Sequence, residues 1–126
     1  LHCAEQLKKF GPKAAEFKKA GYEILAVSSD LATDLTKSVE NYGKDAADKS
    51  FPFPLLSNEK LDVFKAYRCF DDFEKSTMHG TFVIDEDGFV RWQDISYDPF
   101  MDADFVLKEA QRLIAQRKAE LVVGKE

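Results

Sequence analysis

Apolar residues recur at intervals of three and four along the front of the chain. Leu7, Phe10, Ala14 and Phe17 share one face of a helix predicted within residues 3–21, the spacing that a 3.6-residue turn produces. Gly11-Pro12 interrupts that face. Proline has no N–H to give and crowds the preceding turn, so a kink or short break is expected there. Gly21 is the expected C-cap. In the stretch YEILAVSSD, residues 22–30, Ile24, Leu25, Ala26 and Val27 form an apolar run bounded by turn residues. It predicts a strand covered on both faces, as in a parallel sheet. Residues 31–43 return to helical spacing, with Asp30 as N-cap, Leu35, Val39 and Tyr42 on the buried side and Gly43 at the end. KDAADKS is polar and reads as loop.

In FPFPLLSN, Pro52 and Pro54 restrict the chain to an extended or edge-strand role. Ser57 and Asn58 can cap a short helix, EKLDVFKAY, that buries Leu61, Phe64 and Tyr67. RCFDDFEKSTM reads as a mobile loop of exposed charge. HGTFVIDEDGFVRWQDIS is the clearest hairpin, with arms TFVID and FVRWQDI and Asp87-Gly88 at the turn. Residues 102–118 read as a helix whose broad apolar face carries Phe105, Val106, Leu107, Ala110, Leu113 and Ile114. Strands alternating with helices and ending in a hairpin predict an α/β sandwich, a mixed sheet flanked by helices. One domain is expected over 1–118, with 119–126 as a C-terminal tail; there is no internal repeat.

Composition narrows the function more than the fold. The chain has 126 residues, 44% of them hydrophobic, and eleven phenylalanines, enough for a single core without metals or disulfide staples. A net charge of −5 argues against nucleic acid and anionic membrane as partners, since both need a basic surface. No apolar stretch approaches the roughly 20 residues of a membrane span. The chain opens on Leu1 rather than Met, so the lack of a leader says little, and a cytoplasmic setting is expected over a secreted one. Cys3, Cys69, His2 and His79 lack the spacing of a zinc knuckle, and Asp85, Asp87, Asp94, Asp98, Asp102 and Asp104 do not follow the EF-hand pattern. The aspartates read as solvated turns and caps. No metal and no cofactor are expected.

Cys3 opens the first helix. Unpaired N–H groups and the positive end of the helix dipole favour thiolate there, below the free value of roughly 8.5. By position alone it is equally an incidental cysteine at a frayed end. Trp92, Tyr97 and Phe100 form an aromatic group after the hairpin, read as core packing, with a lid or interface as the other use.

Four stretches in order resemble the peroxiredoxin group, the alkyl hydroperoxide reductase and thiol-specific antioxidant family of the thioredoxin-like superfamily. They are Cys3 at a helix head, ILAVSSD, FPFPLLSNEKLDVFKAY and HGTFVIDEDGFV, and the likeness spans roughly residues 3 to 115. The resemblance implies a thioredoxin-like three-layer sandwich lacking its N-terminal strand, a position that is central to the sheet. An unfilled position there invites strand pairing with another chain, hence a homo-oligomer. It also implies a thiol-dependent peroxidase, with peroxide as substrate and a thioredoxin-like protein or small thiol as reductant. The alternatives are a thiol-disulfide oxidoreductase, if a cysteine stands just before Leu1, and a non-catalytic redoxin module.

The resemblance assigns roles residue by residue. Cys3 would be the peroxidatic thiol, oxidised to a sulfenic acid. His79 stands where the family commonly has an arginine beside the thiol. An imidazole could donate to the thiolate or to peroxide, though it is only partly charged near neutrality; the other reading is a strand-end histidine satisfied by backbone. Gln6 stands where the family often has glutamate, one turn from Cys3, and could orient a partner or simply face solvent. Cys69 is the candidate resolving thiol; its other reading is a small apolar residue. Bridging requires α-carbons within about 7 Å.

Overall fold

The computed structural model describes residues 2–37 and 52–124, with side chains from Glu5 to Lys37 and from Pro52 to Glu120. Helices α1 (His2–Phe10) and α2 (Ala14–Lys19) are joined by a 3-10 turn at Gly11–Lys13. The break falls at Gly11-Pro12 because a proline is tolerated in a first helical turn, where its missing N–H has no partner to lose. Gly21, at φ +93°, closes α2. Its N–H donates to the Lys18 carbonyl and the Tyr22 N–H to the Phe17 carbonyl, at 3.0 and 2.9 Å, a left-handed closure that favours glycine.

Strand β1 (Ala26–Ser28) pairs in parallel with β2 (Leu55–Ser57), Ala26 opposite Leu55. The expected two-sided cover of this strand is corrected. Ile24 and Ala26 pack on the core, whereas Leu25 is 63% and Val27 40% exposed. A strand alternates its side chains between faces, and the described helical core lies on one of them. Residues 32–37 form helix α3, opened by the Leu31 carbonyl, which accepts from Asp34 and Leu35 N–H. That is one residue later than the Asp30 cap expected. Leu35 is buried; Val39, Tyr42 and Gly43 lie outside the described residues.

Helix α4 (Asp62–Ala66) is shorter than its apolar spacing suggests. Leu61 has φ +64°, a left-handed conformation that cannot belong to the helix. Asn58 serves the cap, accepting from Val63 N–H at 3.0 Å and donating to the Asp62 carboxylate at 2.5 Å. The stretch expected as a charged loop is instead a small hairpin, β3 (Phe70–Asp71) with β4 (Ser76–Thr77). Its strands are too short for any period to show. What builds it is Asp71, whose carboxylate accepts the N–H groups of Phe73 and Glu74 at 2.9 and 3.0 Å. Tyr97 donates its hydroxyl to the same carboxylate.

Strands β5 (His79–Ile84) and β6 (Val90–Ser96) form the expected antiparallel hairpin. Asp85 organises its turn by accepting from Asp87 and Phe89 N–H, both at 2.9 Å, and Gly88 supplies φ +87°. Arg117 reaches across from helix α5 (Ala103–Gly124) to Glu86 and Asp87. Asp102 caps α5 through Phe105 N–H at 3.0 Å. The helix continues past 118 to Gly124, so the segment expected as a tail is helical there.

Phe10, Phe17, Phe53, Val83, Ala103, Val106, Leu107 and Ala110 form one core. It joins α1, α2 and α5 to the inner faces of β1 and β5. Each such phenylalanine contributes about 1.5–3 kcal/mol on burial. Trp92, Phe100 and Phe105 close one end, with ring centroids 5.1 to 5.9 Å apart; Tyr97 turns away from this group to Asp71. Among the described residues the strands form three two-stranded ribbons. β1 and β5 share a core but no ladder hydrogen bond.

Candidate active site

Amphipathic spacing seats α1 on the core through Leu7 and Phe10. Cys3 lies in the first turn of this helix and is placed by its backbone. Gln6, one turn further on, is half-buried. Its Nε2 donates to Thr81 Oγ1 and to the Phe100 carbonyl, both at 3.1 Å. The amide therefore ties α1 to β5 and to the segment that leads into α5.

Period-two alternation divides β5 into two faces. His79, Thr81 and Val83 share the inner one: Val83 belongs to the core, Thr81 takes the bond from Gln6, and His79 is half-buried at the strand's start. Gly80 and Phe82 face the other way. Tyr67 packs edge-on to Phe82 at 5.0 Å between ring centroids.

The four residues singled out in the sequence thus separate. Cys3, Gln6 and His79 are carried by elements that meet at the Gln6–Thr81 bond. A helix rises 1.5 Å per residue, which puts the Cys3 α-carbon about 5 Å along α1 from that of Gln6. A strand rises 3.3 Å, which puts His79 about 7 Å along β5 from Thr81. Cys69 is elsewhere. The expectation of a mobile surface thiol is corrected: it is 4% exposed and abuts Gly80 and β5's outer face. Its carbonyl accepts from Met78 N–H at 2.8 Å, and its own N–H donates to Phe64 at 2.7 Å. Burial pushes its thiol pKa up, away from the thiolate. β5 stands between Cys69 and Gln6, so the structure does not bring this thiol to the helix that carries Cys3.

Sequence reasoning missed Thr81 and the Phe100 carbonyl. Thr81 was within reach, two residues from His79 in a strand of known alternation. A backbone carbonyl 94 residues from its donor leaves no sequence signal.

The sequence profile of the AhpC/TSA family matches residues 1–93. The chain belongs to this family. Among similar proteins, a peroxiredoxin of Thermoplasma volcanium is 27% identical over 94 residues, covering 71% of this chain and 44% of that protein. Peroxiredoxin-4 of Dictyostelium discoideum is 29% identical over 89 residues, covering 71% and 34%. The chain thus spans less than half the length of either relative. The solved mitochondrial 2-Cys peroxiredoxin of Plasmodium falciparum superposes with a TM-score of 0.77 at 23% identity, covering 94% of this chain and 70% of that one. The AhpC of Mycobacterium tuberculosis gives 0.73 at 22%, covering 90% and 62%. This AhpC/TSA chain has the α/β thioredoxin-like fold of those structures, with the β3–β4 hairpin added to the order of elements expected from the sequence.

Proposed function

We propose that the protein is a thiol-dependent peroxidase in which Cys3 is the peroxidatic residue. The observation that supports this most directly is the placement of Cys3 in the first turn of α1, in a chain of the AhpC/TSA family. The N–H groups of a first turn have no intrahelical partner and stabilise a thiolate.

The thiolate attacks one oxygen of a hydroperoxide, the O–O bond breaks, and the other oxygen leaves as hydroxide or alkoxide, taking up a proton. Sulfur is oxidised to sulfenic acid and the peroxide is reduced to water or alcohol. A reductant thiol then condenses with the sulfenic acid, releasing water and leaving a mixed disulfide. A second thiol cleaves that disulfide and restores Cys3. His79 sits on the β5 face to which Gln6 is bound, and we assign it the hydrogen bond to thiolate or peroxide. Cys69, buried behind β5, is not placed to resolve Cys3; the reductant we assign is a small thiol or a thioredoxin-like protein.

The test is hydrogen peroxide consumption with dithiothreitol as reductant. The parent consumes peroxide and Cys3→Ser does not. Equal consumption by both proteins would remove the assignment.

A further inference from the structure

We propose that Gln6 is a positioning residue: its amide fixes α1, and with it Cys3, against the β5 face that carries His79. The proposal rests on the peroxidase reading and extends it to a residue that touches neither peroxide nor reductant.

The Phe100 carbonyl can only accept, so the Gln6 atom 3.1 Å from it is the amide nitrogen. The second proton of that nitrogen goes to Thr81 Oγ1, also at 3.1 Å. Both protons of one amide are thus spent on partners 75 and 94 residues away in sequence. Leu7 and Phe10 hold α1 on the core by a pull that has no direction of its own, and the two directed bonds narrow its slide and rotation further. This also accounts for glutamine rather than glutamate at position 6. An ionised carboxylate has no proton for the Phe100 carbonyl and would oppose its negative end.

The effect on Cys3 follows from lever length. Cys3 and His79 each lie within about 7 Å, along their own elements, of the paired Gln6 and Thr81. A misplacement of about 1 Å between a reactive group and its neighbours is enough to cost rate. Severing the bond keeps Cys3 in the first turn of α1 but lets that helix shift against the β5 face.

The experiment uses Thr81, which lies on another element from Cys3. Alkylation of Cys3 by iodoacetamide is followed across pH by peptide mass spectrometry, beside hydrogen peroxide consumption and thermal melting. Thr81→Val removes the acceptor at nearly constant volume, and Gln6→Met removes the donor. Thr81→Val, which removes one hydrogen bond, is expected to slow Cys3 alkylation at pH 7 about threefold to tenfold, Gln6→Met, which removes both, at least as much, and each to move the pH midpoint upward. The double variant should lose less than the product of the two, and Thr81→Ser should restore the parent profile. If Thr81→Val and Gln6→Met melt earlier but keep the parent's pH profile, Gln6 is a structural tie and the proposal falls. If the profile shifts while the parent consumes no peroxide, the positioning role stands and the peroxidase reading falls.

Discussion

The sulfur of Cys69 lies against the bare α-carbon of Gly80, so closely that a β-carbon built there would overlap it and come within 2.6 Å of the Phe82 ring. Cys69 is a buried neighbour with little room to retreat. Gly80→Ala should therefore destabilise the fold by about 1–3 kcal/mol, as overpacking does. Calorimetry would show a lower Tm. Cys69→Ala in the same chain should return part of the loss, and an unaltered Tm in Gly80→Ala would show that the pair has slack.

The same burial separates the two thiols chemically. Cys69 is held toward the neutral form by burial and shielded from solvent. With iodoacetamide at neutral pH, Cys3 should be modified first and Cys69 only once denaturant opens the β3–β4 unit. Peptide mapping reads both sites in one digest. Modification of Cys69 in the native protein at the rate of Cys3 would contradict the packing described.

Asp85 gives the hairpin turn a pH dependence. The Phe89 N–H, followed by the Arg91 guanidinium and the Asp87 N–H, holds its carboxyl below the usual range. Its folded value lies under its unfolded one, so the contribution is present above about pH 4 and is lost as pH falls through the folded value. Asp71, lowered first by the Tyr97 hydroxyl, acts in the same sense. Melting temperature should fall on acidification below about pH 4. Asp85→Asn should melt lower than the parent at neutral pH and show a shallower acid decline. A parallel decline in both would show that other carboxylates carry the effect.

Phe17 is 4% exposed and stacks on Phe10 with ring centroids 6.2 Å apart. Phe17→Ala should cost about 3–5 kcal/mol, the transfer and cavity terms together. Chemical denaturation would show this as an earlier midpoint with little change in slope.

The elements legible in the sequence were those with room for a period. α1, α2, α5 and the β5–β6 hairpin each repeat their pattern often enough to be read, and Gly11-Pro12, Gly21 and Gly88 mark where backbone demands change. What escaped was set by contacts from elsewhere. The β3–β4 hairpin depends on one carboxylate accepting two N–H groups, and Leu61 ends α4 with a conformation that its side chain does not announce. The apolar run at 24–27 matched a strand buried twice over, because an exposed Leu25 reads the same as a buried one. At the candidate site, residue type and helix position point to Cys3, while Gln6 and His79 are legible only through the family resemblance. The charged neighbours of Cys69 read as a surface loop, while its own thiol is buried against Gly80 of β5.

The ribbons differ in how much backbone pairing holds them. Among the described residues β1 and β2 pair over three residues and β5 and β6 over six, and packed side chains of one core join the two sets. Amide protons of β1 should thus trade with heavy water well before those of β5, and the cysteine-bearing helix, tied by Gln6 to the slower half, should keep its bearings while the other half breathes.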